Sequence, residues 1–136
     1  MSYGAAAALQ QAVVATLLAD ARVTATLGAA VHDALPAGTP PALHALVGEE
    51  EVEDRSDGSG AGALHRLTIR VVSSAAGFLQ AKEEAAAIEA ALDGAPLALG
   101  AGRLVDLRFR GAKARRDGNS GTRVIDLTFE ARIEGP

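Results

Sequence analysis

A chain of 136 residues has room for one hydrophobic core and not for two, so a single domain over residues 1–136 is expected. Its net charge of -4 argues against a general nucleic-acid binder, and its lack of cysteine excludes disulfides and thiolate metal sites and suits a reducing interior. Hydrophobic residues make up 49% of the chain, yet alanine supplies much of that and aromatics only 3%, so a thin aliphatic core is expected, with assembly adding burial that a monomer lacks.

The first residues lack the charged start of a signal peptide, and no apolar run reaches the roughly 18 residues of a membrane helix. A soluble, cytoplasmic chain with no membrane contact is expected. Over residues 4–19, Leu9, Val13 and Leu17 recur at helical spacing, Val14 and Leu18 widen the stripe, and Gln10 and Gln11 mark the wet side. Asp20 is placed to cap a short turn over residues 22–27, which Gly28 ends. Residues 31–35 read as a short strand, residues 36–41 as a proline-fixed loop, and residues 42–48 as another strand.

The next segment is acidic. Glu49, Glu50, Glu51, Glu53, Asp54 and Asp57 stand against the single base Arg55, and the glycine-rich residues 58–62 follow, so a long flexible hairpin loop is expected here. Residues 64–73 alternate, with His65, Leu67, Ile69 and Val71 on one face and Arg66, Thr68 and Arg70 on the other. A second helix is expected over residues 76–92, burying Phe78, Ala81, Ala85, Ile88 and Leu92 and wetting Gln80, Glu83 and Glu84, with Gly94 and Pro96 as its stop. The last third reads as a hairpin, residues 103–114 and 122–133 about a turn at 117–121, whose second arm alternates Ile125, Leu127, Phe129, Ala131 and Ile133 with Asp126, Thr128, Glu130 and Arg132. The order of elements predicts an α+β domain: an antiparallel or mixed sheet, two main helices on one face, and the long acidic hairpin loop.

No catalytic constellation stands out. His32, His44 and His65 lie on separate strands or loops, far from the compact ligand set a metal needs, and are expected as partly buried strand residues. The glycine run precedes a strand rather than a helix and is flanked by carboxylates, which excludes a phosphate loop, and no serine sits in a nucleophile elbow. Paired acids such as Glu83 and Glu84 have nothing nearby to separate their pKa values. No catalytic residue, cofactor or metal is assigned.

Charge distribution is more informative. Residues 103–116 carry Arg103, Arg108, Arg110, Lys113, Arg115 and Arg116 against Asp106 alone, reversing the balance of the acidic segment. Complementary patches on one chain are what a head-to-tail ring contact requires, although charged runs are also ordinary solvated surface. Glu49, Glu50, Glu51, Glu53, Asp54 and Asp57, with Arg103, Arg108, Arg110, Arg115 and Arg116, are the candidate subunit, tube or lumen residues.

Several stretches, including residues 3–6, 31–36, 46–50, 65–69, 90–97 and 104–109, resemble the tail-completion, or tail-terminator, proteins of long-tailed phages and of alphaproteobacterial prophages and gene transfer agents. The resemblance implies a non-enzymatic homo-hexameric ring in the virion, at the head-tail junction, assembled in the bacterial cytoplasm. Its partners would be the major tail tube protein and a head-side stopper or connector, with DNA only in transit through the lumen. Two other readings stay open: a neck protein that joins the tail without setting its length, and a small ligand-binding domain or enzyme.

Overall fold

The computed structural model describes residues 3–34, 37–38 and 40–135. The first helix, α1 (Ala6–Ala19), buries Ala6, Leu9, Val13 and Leu17 as its periodicity requires, whereas Leu18 stays exposed. Asp20 ends it and caps α2 (Ala21–Leu27), its side chain accepting from the Val23 amide at 3.0 Å. β1 is only Val31–His32. The expected strand bends at Asp33 and Ala34, and its last residue Leu35, with Pro36 and Thr39 of the expected loop, lies outside the described residues.

β2 (Leu43–Asp54) and β3 (Gly62–Ser73) then form a long antiparallel hairpin. Here the expectation of a long acidic loop needs correction, because residues 49–54 are paired strand and the connection shrinks to residues 55–61. Alternation explains it: Glu49, Glu51 and Glu53 share the wet face, where Arg70 of β3 meets Glu49 and Arg66 meets Glu53. The connection is also built rather than featureless. Asp54 accepts from the Ser56 amide at 3.0 Å, Asp57 accepts from the Ser59 amide at 2.8 Å, and Asp57 and Gly60 bridge each other.

α3 (Leu79–Leu92) crosses back over the sheet, and β4 (Arg103–Arg116) and β5 (Arg123–Glu134) complete it. The strand order is β1-β2-β3-β5-β4, antiparallel throughout except for the parallel β1 and β2 pair, so the sheet is mixed and open. Helices α1 and α3 lie on one face. Between them and the strands sits one aliphatic cluster around Leu9, Val13, Ile69, Ile88, Leu127 and Phe129, with Phe109 edge-on to Phe129 at 5.6 Å. Gly48 interrupts the β2 register at a φ of 154°, and a Cβ there would stand 2.9 Å from the Asp33 carboxylate.

Glu84 departs from expectation. It is 3% exposed rather than wet, because α2 closes over that turn and Thr26 donates to its carboxylate. Its spacing from Ala81 and Ile88 already places it on the buried stripe.

Candidate interaction surface

The helix-free face of the sheet is polar, and its charges are arranged in rows across four strands. One row runs Glu49 on β2, Arg70 on β3, Asp126 on β5 and Arg115 on β4, with contacts of 3.1, 2.7 and 3.2 Å. The other runs Glu53, Arg66, Glu130 and Arg110, with contacts of 3.3, 2.9 and 2.8 Å. Sign alternates at every step. Each row therefore starts with an acid on β2 and ends with a base on β4.

Antiparallel register produces this pattern, since Arg66 faces Glu130 and Arg70 faces Asp126, pairs whose members share a four-residue spacing on each strand. Arg110 and then Arg66 hold the Glu130 carboxyl below its ordinary range. Asp126 keeps the Arg70 guanidinium more firmly protonated. Individually such surface pairs contribute little, about 0 to 1 kcal/mol. Their importance lies in how the rows end.

The candidate residues found by charge counting are thus not gathered in one place but occupy two opposite edges. Glu49, Glu51 and Glu53 are on the wet face of β2, while Glu50 turns to the helix side and meets buried His65 at 3.4 Å. Asp54 ends β2 and Asp57 lies in the turn, where hydrogen bonds from Ser59, side chain before backbone, pull the Asp57 carboxyl below its usual value. On β4, Arg103 pairs with Glu134 and Arg108 with Asp106, and Arg116 is exposed at the strand end. The central members Arg66, Arg70, Asp126 and Glu130 were not among the candidates. Their signal was the matched spacing on two alternating strands.

Both edges are open only in part. β1 covers β2 at Ala45 and Leu46, leaving residues 49–53 without a backbone partner on their outer side among the described residues. β4 is capped in its first half by the end of α3: the Gly94 amide donates to Leu107 O at 2.8 Å and the Phe109 amide to the Asp93 carboxylate at 2.9 Å. Gly94 reaches that position at a φ of 74°. Residues 110–116 have no such cap among the described residues. Beneath them, between α3 and β4, lies an open apolar groove of about 280 Å³ lined by Ala85, Ala86, Phe109, Ala112 and Ala114.

The histidines are dispersed on β1, β2 and β3, and among the described residues no group of three or more His, Asp or Glu is placed to hold a metal. No described helix is long and apolar enough to cross a membrane.

A family model described as "Tail completion protein gp17" matches residues 11–134. Among solved structures, the chain is similar to one from the "Virion of native gene transfer agent (GTA) particle", at 51% identity and a TM-score of 0.94, covering 98% of this chain and 100% of that one. No curated protein matches it significantly.

Proposed function

The chain belongs to the tail completion protein gp17 family, and from that membership we propose that it is a structural virion component which closes into a ring on the end of the tail tube. The ring stops tube polymerisation, meets the head-side connector on its other face, and lets DNA pass through its lumen. Six copies per ring is the count that the family resemblance implies. Its similarity along almost its whole length to a chain of a gene transfer agent virion supports placement in such a particle. No catalysis is assigned to it.

The observation that carries the ring reading is the pair of open, oppositely charged edges on one sheet. A contact made by two different surfaces of the same chain is heterologous and propagates until rotation closes it. A contact of like with like would stop at a dimer. Deleting the gene and measuring tails by negative-stain microscopy tests the role. Overlong or headless tails are the expected result, whereas tails of normal length that fail to join heads would assign the chain to the neck instead.

A further inference from the structure

The geometry points to direct strand addition between copies: the open half of β4 pairs antiparallel with the open half of the next copy's β2, Glu51 opposite Lys113 and Val52 opposite Ala112. This rests on the ring reading and specifies its contact. Three independent features of the chain converge on it.

The first is direction. From β2 through β3 and β5 to β4 every neighbour is antiparallel, so β2 and β4 of one copy run oppositely. Two copies in the same orientation therefore bring β4 and β2 together antiparallel, and the backbone ladder continues across the boundary.

The second is charge. Each ion-pair row ends in an acid on β2 and a base on β4, so addition of a copy extends both rows with the same alternation. Glu51 and Lys113 lie on the same wet face, opposite Arg66 and Asp126 in register, and neither has an ion pair within 4.0 Å among the described residues. With Glu51 opposite Lys113, Glu49 falls opposite Arg115. Pairing β2 with another β2, or β4 with another β4, would set like charges against like, which opposes association.

The third is the apolar side. Val52 shares the helix side with His65, and Ala112 shares it with Leu127 above the open groove. The same register that joins Glu51 to Lys113 on one face seats Val52 over the small side chain of Ala112 on the other. The open halves lie at opposite ends of the sheet: the β2 half beside Gly62 and the β4 half beside Arg123. Successive copies consequently step along the strand direction, a stagger that a closed ring absorbs as strand tilt.

The chain has no cysteine, so engineered pairs report without background. The variant V52C/A112C, incorporated into particles and oxidised, is expected to give a ladder of covalent oligomers ending at the closed ring, since facing strand residues lie within disulfide reach. V52C/K113C places the thiols on opposite faces and is expected to give none. Independently, E51K or K113E should each weaken ring formation about tenfold, by light scattering of the purified protein, and E51K/K113E should recover it. Rings present in the particles without the V52C/A112C ladder, or single-variant losses without recovery in the double variant, would overturn the strand-addition contact while leaving the ring intact. Particles that carry the chain with no ring by microscopy would overturn the ring reading itself.

Discussion

The two faces of the same four strands are made by different physics. On the helix side, Ile69, Leu127, Phe129 and Ala131 are buried under α1 and α3, and their value comes from apolar area removed from water. On the other side, Glu49, Arg70, Asp126 and Arg115 form a row of partly solvated pairs that adds little to folding but leaves unmatched ends. A face that is closed stabilises the chain; a face that is regular but unfinished is, on the contact proposed above, the one that joins copies. Substitutions should separate along this division, with folding losses on one side and assembly losses on the other.

The largest expected effect is Phe129→Ala, which removes the largest buried side chain and its edge contact with Phe109. A loss of about 3 to 5 kcal/mol by urea denaturation is expected, enough to unfold a marginal domain. Survival of a cooperative transition with a smaller loss would mean that the thin core collapses around the gap. Gly48→Ala tests the bulge that returns Glu49 to the wet face: the positive φ and the Asp33 contact predict a cost of about 1 to 3 kcal/mol. If the cost is nil, the bulge is not what sets the acidic edge.

Asp93→Ala removes the acceptor for the Phe109 amide, and a loss of about 1 kcal/mol is expected, with faster hydrogen exchange at that amide. It also uncaps part of β4, so a second, slipped association register should be detectable by cross-linking.

Glu84→Gln sharpens the comparison by removing the titratable group that the chain buries on the apolar side. Burial raises the Glu84 carboxyl above its ordinary 4.5, so the folded chain holds that proton more tightly than the unfolded chain does. Wild-type stability should then fall as pH rises from about 4.5 through the raised value, while the Gln variant lacks that slope. At neutral pH the variant should be the more stable by about 1 kcal/mol, an advantage absent well below pH 4.5. Equal pH profiles for the two proteins would show that Glu84 is solvated. Smallest for folding is Lys113→Ala, expected to stay within about 0.5 kcal/mol of wild type while ring assembly declines. A folding loss larger than that would blur the division between the faces.

Much of this architecture was legible in the chain. The period-2 patterns of residues 64–73 and 122–133 determined both strands and their buried faces, and Leu9, Val13 and Leu17 determined the face of α1. Composition alone placed acids and bases in separate segments. What sequence could not decide was pairing. Whether Glu49 to Asp54 form loop or strand depends on β3 supplying Arg66 and Arg70 at the right register, an interaction between residues more than ten positions apart. Burial of Glu84 likewise depends on α2 folding back over α3. The position of the acidic and basic segments on opposite edges follows from the strand order, in which β5 inserts between β3 and β4. Local patterns fix which face a residue takes because the backbone period is local; only the tertiary fold decides which strand becomes an edge, because that is settled by partners distant in the chain.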